Sequence, residues 1–93
     1  MPFTNAPMKP ETLERRAAQR LAEQKQSAVA GYNSYRQKAD RYYGDYLVTR
    51  KKLDREFAND WQEGAQRYAE RAKELGIELE PVALFEALPD ERE

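Results

Sequence analysis

The stretch 28-AVAGYNSYRQKADRYYGDYLVTRKKLDREFANDW-61 decides the fold. From Leu21 to Leu53 its seam residues (Leu21, Lys25, Ala28, Tyr32, Tyr35, Ala39, Tyr42, Tyr46, Thr49, Leu53) recur at alternating spacings of four and three, the rhythm of a coiled coil. Leu53, Phe57 and Trp61 then step by four, a stutter that relaxes supercoiling. Placed at 100° per residue, the apolar members of this series, Lys25 and Thr49 left aside, join Leu13, Ala17, Tyr68 and Leu75 within an arc of about 120°. The pattern predicts an all-α chain with one apolar stripe.

The content of the stripe bears on what it can bind. Tyrosine and alanine stand where a stable coiled coil carries leucine and isoleucine. A tyrosine buries its ring but needs a partner for its hydroxyl, so this Tyr/Ala seam suits a surface that is partly wet. Tyr32, Tyr35, Tyr42, Tyr46, Leu53, Phe57 and Trp61 are therefore the expected partner-binding residues of the helical region.

Working outward, Pro10 fits the first turn of a helix, where its missing N–H is not needed, and Glu11 complements the dipole there. Gly76, followed by apolar Ile77, has the form of a glycine C-cap. No proline falls between Pro10 and Pro81, so 10–76 is read as the helical region. Gly31-Tyr32-Asn33-Ser34 and Gly44-Asp45 are the places where turn formers could break it, near 31–34 or near 44. Unbroken, residues 11–75 would make a rod of roughly 100 Å that cannot bury its own stripe. Such a rod must dimerise, fold into a two-helix hairpin, or lie on something larger; two long helical segments with a break or kink are preferred over one straight rod, and a long amphipathic helix or a helical hairpin both remain open.

The flanks differ in character. Residues 1–9 hold two prolines and no apolar period, and read as a flexible arm. Residues 77–93 mix Ile77, Leu79, Val82, Leu84, Phe85 and Leu88 with acidic residues. Pro81 and Pro89 would bracket a short helix at 81–88 that presents Leu84, Phe85 and Leu88 on one face. Such a segment either folds back on the long helices or docks in the groove of a partner protein.

Composition narrows the class. Leu, Ile, Val and Phe make up only 15 of 93 residues, while Ala, Glu, Lys, Leu and Arg make up 49, the profile of long helices rather than a compact enzyme. His and Cys are absent, which removes His-containing triads, thiol nucleophiles and the usual zinc and haem ligands. No nucleotide-binding glycine motif or calcium loop occurs, so neither catalysis, a cofactor nor a metal is expected. No apolar run is long enough for a membrane span, and residues 1–10 lack a secretory pattern; the chain reads as intracellular and soluble.

The net charge of −1 hides a dipole. Residues 36–55 hold seven cations and three anions, whereas the chain from Glu56 onward holds four cations and eleven anions. Lys38, Arg41, Lys52 and Arg55 would share an arc opposite the seam on a continuous helix, as possible phosphate contacts. The acidic half argues against a nucleic-acid role. The expected function is a non-enzymatic assembly or interaction protein, packing its seam on itself, as a homo-oligomer, or on a larger protein complex. A small regulatory or inhibitory binder docking through its C-terminal segment is the alternative, and nucleic-acid binding a second alternative.

Overall fold

A computed structural model describes residues 10–92, so the arm expected at 1–9 lies outside the described residues. Two helices, α1 (Pro10–Thr49) and α2 (Lys52–Glu74), fold into an antiparallel hairpin. Its extents are 76 × 27 × 14 Å.

Helix α1 is described from Pro10 onward. The far end of the helical region falls where local chemistry sets it. Gly76, at φ +87°, closes α2. Its N–H donates to the Lys73 carbonyl at 3.0 Å and that of Ile77 to the Ala72 carbonyl at 2.8 Å, the paired bonds of a Schellman cap.

The bend is elsewhere than expected. Gly31 and Gly44 are both interior to α1, and the chain reverses at Arg50 and Lys51 instead. Arg50 holds φ +58°, a left-handed conformation that costs a residue with a Cβ roughly 1–2 kcal/mol. Tertiary contacts fix it there. The Arg50 carbonyl accepts from the Arg92 N–H, the Arg92 carbonyl accepts from the Lys52 N–H, and Arg50 Nη1 meets Asp90 Oδ1 at 3.0 Å.

The single stripe also divides at the bend. α1 buries Ala28, Tyr32, Ala39 and Tyr46. Residues of α2 that face it are Ala58, Ala65, Ala69 and Ala72, while Leu53 is left 57 % exposed and Phe57 43 % exposed. Alanine against tyrosine lets the helix axes approach while the rings fill the grooves beside them.

Two glycines make the closest approaches. A Cβ on Gly31 would overlap the Tyr68 ring, and one on Gly64 would overlap the Tyr35 ring. Each helix thus carries Gly-x-x-x-Tyr (31 and 35; 64 and 68), and each tyrosine lies on the glycine of the other helix. Their rings meet edge to face at 5.1 Å. This reciprocal lock sets the register, and Tyr42 against Phe57 at 5.8 Å continues it toward the bend. In that register α2 ends near residue 24 of α1, leaving 10–24 as a projecting arm of about 22 Å.

Residues 77–92 cross back along the hairpin without the helix expected at 81–88. Tyr32 OH donates to the Glu80 carbonyl and Tyr46 OH accepts from the Leu88 N–H, both at 2.8 Å. Those tyrosines are fourteen residues apart on α1, about 21 Å at helical rise. Eight residues in a helix would span about 12 Å, so the segment is an extended strap.

Helix α2 supplies the strap with amide partners at 59, 62 and 66, on one helical face. Asn59 accepts from the Phe85 N–H at 2.6 Å and donates to its carbonyl at 3.2 Å. Gln62 donates to the Ala83 carbonyl at 3.2 Å, and Gln66 accepts from the Val82 N–H at 3.1 Å. These bonds replace those a helix would make within itself. From Leu79 onward the half-buried positions are Leu79, Val82, Phe85, Leu88 and Glu91, the period of three of a polyproline-like strand.

Candidate functional site

The strap covers one side of the hairpin. The other side carries a ladder of rings drawn alternately from the two helices, in the order Phe57, Tyr42, Trp61, Tyr35, Tyr68. Tyr42 stacks on Trp61 at 6.4 Å and 11°. Trp61 meets Tyr35 edge to face at 4.9 Å and 84°, and Tyr35 meets Tyr68 at 5.1 Å. Lys38 Nζ sits 4.6 Å from the Trp61 ring centre, a cation–π contact. Leu53 and Phe57 are exposed at the bend end of this face. A hollow of about 300 Å³ lined by Tyr35, Gly64, Arg67, Tyr68 and Arg71 indents it toward the arm.

The expected partner-binding residues therefore fall into three groups. Tyr35, Tyr42, Leu53, Phe57 and Trp61 come together on the open face. Tyr32 and Tyr46 are buried, and their hydroxyls hold the strap. Phe85 and Leu88 are half-buried in the strap, with Phe85 stacked on Tyr43 at 4.0 Å and 9°; Leu84, 53 % exposed, faces away.

The basic arc does not form. Lys38 and Arg41 lie on α1 and Lys52 and Arg55 on α2, so the bend separates what a continuous helix would align. Arg55 turns under the strap, where Nη2 meets Glu91 Oε1 at 2.8 Å. That hydrogen bond, opposed by desolvation, raises its pKa above the ordinary value. Lys52 lies 4.0 Å from Glu56, Lys38 is on the rings, and Arg41 is exposed. Arg36, on the strap side, is likewise raised by its bond to Tyr32 OH at 2.9 Å and, secondarily, by Glu80.

Several contributors lay outside the sequence expectation. The twin Gly-x-x-x-Tyr motif was visible as a repeat, the amides at 59, 62 and 66 as a three-four spacing, and the strap as a period of three at Leu79, Val82, Phe85 and Leu88. Tyr43 had no separate signal.

Among the described residues no cluster of three or more Asp or Glu is placed to hold a metal ion, and no helix is long and apolar enough to cross a membrane. Compared with known protein families, curated proteins and solved structures, the chain shows no match.

Proposed function

We propose that the chain is a non-enzymatic helical assembly protein whose open aromatic face packs on a protein surface. One observation carries the reading: the hairpin covers one groove with its own strap and leaves the opposite one lined by rings. Exposed Leu53 and Phe57 extend the Tyr42, Trp61, Tyr35 and Tyr68 ladder into a single apolar patch. Apolar patches of this kind, rimmed by polar residues, mark interaction sites, and aromatic residues are enriched where binding energy concentrates. Docking through the C-terminal segment is the weaker alternative, since Phe85 and Leu88 are engaged with the chain's own tyrosines.

The test is site-specific photo-crosslinking in the source cells from position 57, with Val48, 85 % exposed off the ring ladder, as the control position. Discrete protein adducts from 57 that disappear with Leu53→Asp are expected. Adducts from 57 no more defined than those from 48 would overturn the proposal.

A further inference from the structure

We infer that the groove under the strap is a receptor for extended peptides, and that the strap is a built-in occupant which a matching peptide of a partner protein replaces. The site lies on the side opposite the open face and does not depend on how that face is used. Its polar contacts read main chain. Side chains of the two helices make six hydrogen bonds to the strap backbone, at Glu80, Val82, Ala83, Phe85 (twice) and Leu88. Backbone groups are common to nearly every sequence, so such a groove accepts many peptides. Selectivity comes from a few side chains. Leu79 and Val82 pack against Tyr32, Ala65 and Ala69, Phe85 stacks on Tyr43, and Arg55 takes the Glu91 carboxylate at 2.8 Å. The ligand so defined is a polyproline-like peptide with an apolar side chain at every third residue and a carboxylate at the last such step.

The strap itself does not meet everything the groove offers. Among the described residues two buried side-chain atoms lack a hydrogen-bond partner, Gln62 Oε1 and Arg55 Nε, and both belong to residues that grip the strap. Gln62 is 5 % exposed; its Nε2 donates to the Ala83 carbonyl while its Oε1 receives nothing. Three residues earlier, Asn59 uses both ends of its amide, accepting from and donating to Phe85 alone. Arg55 likewise gives Nη2 to Glu91 but not Nε, whereas a carboxylate set squarely against a guanidinium takes two parallel bonds. Supplying a partner to a buried polar atom is worth about tenfold in affinity. The strap of a second copy would repeat both omissions. A peptide of different sequence can correct them, which assigns the groove to a partner protein.

The strap can leave without dismantling what lies beneath. The reciprocal lock of Gly31 with Tyr68 and Gly64 with Tyr35 is on the opposite side. Within the strap one backbone bond, Glu91 to Leu88, is internal. At the bend, release of Asp90 and Arg92 leaves Thr49 bonded to Lys51 and Asp54. Its tether gives the strap an effective concentration on the order of millimolar, an advantage that the two unmet atoms let a better peptide overcome.

The test is fluorescence anisotropy with a labelled synthetic peptide of sequence 77–92, titrated with the full chain and with its Phe85→Ala variant, whose strap grips less; circular dichroism establishes that both are folded. Binding at least tenfold tighter to the variant is expected, because the fraction with an empty groove is larger. Alanine at 82, 85 or 88 of the peptide should weaken binding about tenfold, and alanine at 84 or 86 should not. A peptide set randomised at 83, 84 and 91 should contain sequences that bind more tightly than the strap's own. Should Phe85→Ala lose helicity, Glu91→Gln, which takes the carboxylate from Arg55, serves as the weakened chain. Binding that is absent from the weakened chain, equal for both chains, indifferent to the period of three, or never tighter than that of the strap sequence would overturn the inference. Self-association of the natural chain that the free peptide dissolves would give the groove to a second copy's strap and overturn it as well.

Discussion

Replacing Gly64 by alanine should destabilise the hairpin, although the same change inside an exposed helix normally stabilises it. Alanine gains about 1 kcal/mol over glycine in a helix interior. At Gly44 nothing lies within 4 Å of the added methyl, so Gly44→Ala should realise that gain in full. At Gly64 the methyl must displace the Tyr35 ring, which is confined by Trp61 at 4.9 Å and Tyr68 at 5.1 Å. Overpacking costs about 1–3 kcal/mol, and disturbing two edge-to-face contacts worth about 0.5–1.5 kcal/mol each adds to it. The net is a loss of at least about 1 kcal/mol, placing the two glycine variants about 2 kcal/mol or more apart. For a chain of this size that corresponds to melting temperatures separated by about 8–16 °C, measurable by circular dichroism. In a Tyr35→Ala background Gly64→Ala should cease to destabilise, a non-additivity that isolates the ring–glycine contact. Gly64→Ala raising the melting temperature as Gly44→Ala does would refute the reciprocal lock.

Other substitutions probe the strap and the bend, each by urea denaturation. Phe85→Ala should cost about 2 kcal/mol for a half-buried stacked ring, while Leu84→Ala stays within about 0.5 kcal/mol. Tyr46→Phe should cost about 1–2 kcal/mol because it leaves the Leu88 N–H without its acceptor; Tyr42→Phe, whose contacts are ring contacts, should cost less. Asn59→Ala removes both bonds to Phe85 and should also cost about 1–2 kcal/mol. With Asp90→Asn already present, Arg50→Gly should stabilise by about 1 kcal/mol through relief of the left-handed backbone.

Sequence reasoning located the elements better than it located their relation. Gly76 announces itself because a free φ acts within a turn of its own position. Bend prediction failed for the converse reason: Thr49, Arg50 and Lys51 include none of the strong turn formers Gly, Pro, Asn or Asp, and although the Thr49 hydroxyl accepts from the Lys51 N–H and donates to Asp54, the reversal is also held by Asp90 and Arg92, some forty residues away. Gly31 misled because glycine permits two things, a turn or a close approach, and here it serves as the seat of Tyr68. In the strap, Leu84, Phe85 and Leu88 match a helical face, but Leu79, Val82, Phe85 and Leu88 match a period of three over a longer span. Longer periodicity prevailed because side-chain amides were in place to receive the backbone. Of the open face, Tyr35, Tyr42, Phe57 and Trp61 were legible as seam aromatics. Their separation from Tyr32 and Tyr46 depended on the rotation of α2 beyond the bend.

The period of the strap should also be readable in isotopes. Its N–H groups at Val82, Phe85 and Leu88 donate to Gln66, Asn59 and Tyr46, and that of Glu91 donates to the Leu88 carbonyl. In deuterated solvent those four amides should exchange slowly, as should that of Arg92, which donates to the Arg50 carbonyl, while the others between 82 and 91 exchange fast, giving protection at every third residue from 82 to 91. A helix at 81–88 would retain a continuous block instead. Because these partners lie 16 to 42 residues away in the chain, slow exchange at 82, 85 and 88 should vanish together when the strap lifts, and without waiting for the hairpin beneath it to open.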